Sequence, residues 1–306
     1  MIDGLKKSKE ENMNSDNAIF FTVKANNSDD EYYCMLMTAL ESLFTSTKNI
    51  KHDIIVFIDS ADLQVNEINA NGATIGDYFP SVKIIHKNWP ESKYLNPIPL
   101  PDYFYKWLCL EYMVHNTNYK QIAYFDCDVF FLKDINDIFD CYPENFCGIY
   151  ENYCDLKNKL IGKYYAMCSG QFIFEREKLI NIPNILEKVI EKSNYLCANI
   201  NKILDNHEKC YFFKTLMEQY AGHRVLLDYN IDITPMHTRD VCFGDGTCDI
   251  QIVDSDIEII NCMTRVVHYT RKNAALFVKS KYRNEKLREE FSRQVINNKL
   301  TRRLWG

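Results

Sequence analysis

Gln121-Ile122-Ala123-Tyr124-Phe125-Asp126-Cys127-Asp128-Val129-Phe130-Phe131-Leu132 passes from an apolar run to two acids and back to an apolar run. Ile122 to Phe125 has the aromatic and β-branched character of a buried strand, and the strand ends at Asp126. In an extended segment alternate side chains share one face, so Asp126 and Asp128 can converge on a single cation. An isolated Asp-x-Asp is equally a solvated turn. Its position argues for the cation: open α/β sheets place ligands beyond the carboxyl ends of their strands, and carboxylates set between apolar runs are costly unless paired or metal-bound. A hard divalent ion held there would bridge diphosphate oxygens and neutralise charge on a leaving group.

Upstream, Ala18 to Val23 reads as a short buried strand, followed by a polar loop from Lys24 to Asp30. Tyr33, Leu36, Met37, Leu40, Leu43 and Phe44 then recur at helical spacing. The unit repeats with a strand at Asp53 to Ile58, a helix at Ala61 to Ala70 and a strand at Ser81 to Ile85. After a Pro-punctuated loop, Asp102 is placed to cap a helix from Tyr103 to His115. Downstream, strands are expected at Phe146 to Tyr150, Gln171 to Phe174 and Val266 to Tyr269, with helices at Ile185 to Leu196 and Cys210 to Tyr220. Continuous apolar strands separated by helices specify an α/β domain with a mainly parallel, covered sheet. We assign that domain to residues 17–278 and a basic amphipathic helical tail to 279–306, where Leu287, Phe291 and Val295 lie four apart. Lys281, Arg283, Lys286 and Arg288 could bring the tail to an acidic membrane surface or to a second subunit, although such a stripe also packs on its own domain.

With 306 residues, 46% of them hydrophobic, the chain can bury a sizeable core. A formal charge of -6 argues against a partner that is nucleic acid, because gripping phosphates needs clustered Lys and Arg. No stretch approaches the roughly 20 apolar residues of a membrane-spanning helix, and Met1 to Asp16 is too polar for a signal peptide. The 12 cysteines are scattered through apolar patterns without a C-x-x-C pair, as expected of small buried hydrophobes rather than of a disulfide or zinc framework. The expected location is cytoplasmic.

Three linked segments carry a resemblance. Tyr105-Lys106-Trp107-Leu108, Tyr119 to Asp128 and Asp134-Ile135-Asn136-Asp137-Ile138-Phe139-Asp140 together resemble the central block of the glycogenin and lipopolysaccharide galactosyltransferase family, glycosyltransferase family 8. The resemblance implies a single GT-A fold, a Rossmann-like nucleotide-diphospho-sugar transferase domain with a mainly parallel mixed sheet. It implies that Asp126 and Asp128 hold Mn²⁺ or Mg²⁺ on the diphosphate of a UDP-sugar, and that Lys106 faces the donor. Without the resemblance Lys106 is equally an ordinary exposed helix lysine. Cys168-Ser169-Gly170-Gln171-Phe172-Ile173-Phe174 is similar to the family's Asn-Ser-Gly and strand segment, where backbone passes close to the sugar; Ser169, Gly170 and Gln171 become donor contacts by that match. Cys168 stands where the family has Asn.

Val266-Val267-His268 resembles the family's strand that delivers a third metal ligand. Two carboxylates and an imidazole suit Mn²⁺ better than Ca²⁺. Read alone, a His after two valines is more often a hydrogen-bonded core histidine, and the resemblance reverses that reading for His268. The family's following Gly and Lys-Pro-Trp are absent, and Lys272 is preferred over Arg271 as the phosphate-binding cation. Glu208 in Asn206-His207-Glu208-Lys209 is the acidic counterpart of the family's Asp-Gln ahead of a helix; it would steady positive charge at the anomeric carbon, or else serve as a helix-start acid. Thr22, Val23 and Asn26 end the first strand where the resemblance places uracil and ribose, and Asp59 closes the second strand beside them. The implied reaction transfers a sugar with retention to a hydroxyl of a glycan, protein or lipid. Two other functions fit part of the pattern. Phe125 to Asp128 with Gly244-Asp245-Gly246-Thr247-Cys248-Asp249 resembles haloacid-dehalogenase phosphohydrolases, whose first motif lies on the first strand. The third possibility is a nucleotide-sugar-binding protein without turnover.

Overall fold

The computed structural model describes residues 15–24, 31–59, 75–89, 101–143, 146–150, 167–203, 217–237, 240–243, 250–253, 256–259 and 265–268. The expected helix at 61–70, the loop at 244–249 and the tail at 279–306 lie outside them.

The chain begins with β1 (Asn17–Lys24), α1 (Glu31–Ser46), β2 (Asp53–Asp59), α2 (Ile75–Tyr78) and β3 (Val82–His86). It continues through α3 (Pro101–Asn116), β4 (Gln121–Phe125), β5 (Val129–Phe131), α4 (Ile138–Cys141), β6 (Phe146–Tyr150), β7 (Met167–Glu175) and α5 (Arg176–Leu179). Last come α6 (Ile185–Ile203), α7 (Met217–Asp228), β8 (Ile233–Pro235), β9 (Val241–Phe243), β10 (Ile250–Val253), β11 (Asp256–Ile259) and β12 (Val266–His268). The main sheet has the order β3-β2-β1-β4-β7-β6-β8. β1, β2, β3 and β4 run parallel, whereas β7 is antiparallel to both β4 and β6, so the sheet is mixed and mostly parallel as expected.

Side-chain alternation along β1 explains why both faces of this sheet are covered. Ile19, Phe21 and Val23 enter one core with Leu36, Leu40 and Leu43 of α1. Ala18 and Phe20 enter the other with Phe104, Trp107 and Leu108 of α3 and with α6 and α7. A strand buried on both faces reads as an uninterrupted apolar run, which made β1, β2 and β4 legible.

The expected helix at Cys210 to Tyr220 is corrected in part. The described helix runs from Met217 to Asp228, and 210–216 lie outside the described residues. Gly222 does not stop it, because α7 packs on Trp107 at that point: a Cβ on Gly222 would lie 2.0 Å from Trp107 Cζ2. Asp102 lies within the first turn of α3 rather than ahead of it, with Pro101 as the opening residue.

Candidate metal and donor site

β2 and β3 are added on one side of β1 and β4 on the other, so the winding reverses between β1 and β4. Crevices at such reversals are where open α/β sheets bind ligands. Asp126 follows β4 at this point. Its backbone N–H extends the ladder by donating to the Gly170 carbonyl at 2.7 Å. Cys127 and Asp128 then carry the chain out of the main sheet into β5, which belongs to a second sheet of order β5-β12-β9.

Register delivers the distant histidine. β12 pairs antiparallel with β5, with His268 opposite Val129, the residue after Asp128. His268 Nε2 lies 3.0 Å from Asp128 Oδ1 and 3.8 Å from Asp126 Oδ2. One ligand atom from each of Asp126, Asp128 and His268 falls within 4.8 Å of the others. Gly170 forms the floor: an added Cβ would stand 2.4 Å from His268 Cε1 and 2.8 Å from Asp126 Oδ2. Only glycine allows that approach. Two carboxylates and one imidazole converging over a glycine fit a divalent cation. Burial alone would lower the His268 pKa, but the Asp128 carboxylate and hydrogen bonds to Asp128 and the Cys168 thiol hold it well above the ordinary imidazole value. Because only neutral imidazole ligates a metal, a cation bound here would displace that proton.

Lys106 is buried, which removes the exposed-lysine alternative. Its Nζ donates to Ser169 O and Oγ, both at 3.2 Å, and lies 3.3 Å from Asp126 Oδ1. Burial pushes the ammonium down in pKa; Asp126 and Glu218 outweigh it and keep Lys106 above the usual lysine range. Glu218, in the first turn of α7, accepts from Trp107 Nε1 and, at 2.8 Å, from Ser169 Oγ. Burial raises its carboxyl, partly offset by Lys106, Trp107 and Ser169. Glu218 is the acid that the sequence analysis missed. Part of its signal was present, since Glu218-Gln219 is also an acid-Gln pair. Glu208 lies outside the described residues, as do Asn26 and Lys272.

The remaining expected contacts divide. Ser169 and Gly170 join the cluster. Gln171 is fully buried next to it, and neither of its amide atoms has a hydrogen-bond partner among the described residues. Thr22 Oγ1 lies 3.1 Å from Tyr124 OH, and Tyr124 OH donates to Asp126 Oδ1. Val23 is buried in the core. Asp59 is buried at the end of β2, 3.9 Å from Lys24 Nζ, which also pairs with Asp102 at 3.1 Å.

A sheet wound 3-2-1-4 with an Asp-x-Asp at its reversal point, faced by a histidine from a second small sheet, defines the GT-A fold of glycosyltransferases. No protein-family model matches the chain, and no curated protein matches it. Solved structures do. The galactosyltransferase LgtC, in complex with donor and acceptor sugar analogues, is similar with a TM-score of 0.50 at 11% identity, over 89% of this chain and 99% of that one. Mouse xyloside xylosyltransferase 1 in its apo form gives 0.51 at 10% identity, over 76% and 88%. Both are family 8 GT-A glycosyltransferases. The bifunctional glycosyltransferase WbbM in its apo form gives 0.53 at 9% identity, over 91% of this chain and 52% of that one. Identities this low establish a shared fold.

Proposed function

We propose that the chain is a metal-dependent glycosyltransferase that moves a sugar from a nucleotide-sugar, a UDP-sugar in our assignment, to a hydroxyl of a glycan, protein or lipid acceptor. The observation that carries this is the convergence of Asp126, Asp128 and His268 over Gly170 at the reversal point of a GT-A sheet. These three residues would hold Mn²⁺, or Mg²⁺, on the donor diphosphate. When bound, such an ion supplies charge neutralisation to the leaving nucleotide.

The protein's own groups do the rest. Lys106 keeps a fixed positive charge beneath Asp126, and its hydrogen bonds to Ser169 hold the backbone at Gly170 in place. Glu218 balances that charge and, through Ser169, lies within the same network. A carboxylate so placed offers negative potential to an oxocarbenium-like centre, the role assigned to Glu208 on sequence grounds. Retention of configuration is our assignment from the family resemblance. The buried thiols Cys109, Cys127, Cys147 and Cys168 support a reducing, cytoplasmic setting.

Nucleotide release from a panel of UDP-, GDP- and CMP-sugars, with Mn²⁺ and with chelator, tests the proposal. Mn²⁺-dependent UDP release that disappears in Asp128→Asn is expected. Donor binding without hydrolysis or transfer to any acceptor would favour a binding protein. Phosphate release from a generic phosphate ester, abolished by Asp126→Asn, would favour the phosphohydrolase.

A further inference from the structure

Asp126 has two oxygens, and they face different surroundings. Oδ1 accepts from Tyr124 OH and lies 3.3 Å from Lys106 Nζ. Oδ2 faces His268 Nε2 at 3.8 Å and the floor at Gly170. Tyr124 and Asp126 are two residues apart along extended chain, so their side chains emerge on one face. The Tyr124 ring is fixed by Phe20 and Phe172, each with its centroid 4.9 Å away. Its hydroxyl is fixed at both ends. With its proton committed to the carboxylate, it accepts from Thr22 Oγ1 at 3.1 Å, across the parallel pairing of β1 and β4.

We propose that Tyr124 is a positioning residue for the metal site: the Thr22–Tyr124 hydrogen-bond relay, with Lys106, occupies Asp126 Oδ1 so that Asp126 presents Oδ2 alone to the cation. The inference rests on the metal-site assignment made above and adds to it two residues that do not themselves ligate. A ligating carboxylate free to rotate offers either oxygen and loses orientation entropy when it binds. One pinned by buried donors is already in its bound geometry. Loss of such outer partners typically weakens metal affinity by about 10- to 100-fold. The relay also commits the Thr22 hydroxyl, so any contact of this position with a nucleotide would come from the backbone.

Mn²⁺ titration of the full chain, followed by the paramagnetic resonance of the free ion, tests this without reference to turnover. The wild type, Asp128→Asn, Tyr124→Phe and Thr22→Val are compared, with thermal midpoints recorded without metal. Phe keeps the ring packing, so Tyr124→Phe is expected to melt within a few degrees of wild type and to bind Mn²⁺ about 10- to 100-fold more weakly. Thr22→Val is expected to weaken binding by a smaller factor, about several-fold, because Tyr124 and Lys106 remain. If Tyr124→Phe and Thr22→Val both bind within about twofold of wild type while Asp128→Asn does not bind, the relay is overturned and the metal site stands. If Tyr124→Phe fails to fold, Thr22→Val decides by the same twofold criterion. If wild type and Asp128→Asn bind Mn²⁺ equally, the metal site itself falls.

Discussion

At Gly170 the site has no room for a methyl group, since His268 and Asp126 occupy the space that a Cβ would need. Gly170→Ala should leave the main sheet intact, because the displaced groups are side chains at its edge, but move two of the three candidate ligands. We expect a loss of Mn²⁺ affinity of at least tenfold with a stability cost of about 1–3 kcal/mol, measured by metal titration and urea unfolding. Gln171, one residue on, gives the opposite sign. A buried amide without a partner among the described residues carries a desolvation cost of about 1–3 kcal/mol that an apolar isostere avoids. Gln171→Met should therefore raise the urea midpoint and, if Gln171 meets the donor as assigned, weaken UDP-sugar binding while sparing UDP. A lowered midpoint contradicts this account of the residue.

At the scale of elements, two helices brace the site from opposite faces. α7 fits against Trp107 only because residue 222 is glycine, and the same Trp107 donates to Glu218. Gly222→Ala should cost about 1–3 kcal/mol or more by overpacking and displace Glu218 with the helix, seen as a lowered urea midpoint together with reduced turnover. On the other face, Ser42 of α1 accepts from the Phe131 N–H at 3.1 Å and so ties β5 to the helix. Its neighbour Glu41 is buried, and burial raises its carboxyl from 4.5 to about 8. Between those values the folded state holds a proton that the unfolded state has released. Stability is thus fully present below about pH 4.5 and is lost as pH rises toward 8, at up to about 1.4 kcal/mol per unit. Glu41→Gln should match wild type near pH 4 and exceed it near pH 8.5 in thermal midpoint; equal midpoints at both would refute the assignment. Element by element, β1, β2 and β4 were legible because two-sided burial writes a continuous apolar run. The continuation of α7 past Tyr220 was not, because the contact that accommodates Gly222 lies on α3. His268 reached the site in the sequence analysis only through family resemblance, since the register that sets it opposite Val129 leaves no local pattern. Glu218 was passed over for Glu208 because the expected helix at Cys210 to Tyr220 set Glu208 ahead of a helix and Glu218 within it; burial beside Lys106 is what marks Glu218.

Across the whole molecule, the reversal between β1 and β4 and the antiparallel return of β12 bring residues 22, 106, 126, 128, 169, 218 and 268 into one connected network. Fold likeness at 9–11% identity supplies the architecture, and the chemistry must come from this network. Calorimetric titration of UDP into the protein, with saturating Mn²⁺ and again with chelator, addresses that most directly. UDP binding is expected to be strengthened at least tenfold by Mn²⁺ in wild type, with the Mn²⁺ increment gone in Asp128→Asn. UDP binding of equal strength with and without Mn²⁺, or an increment that survives Asp128→Asn, would contradict it.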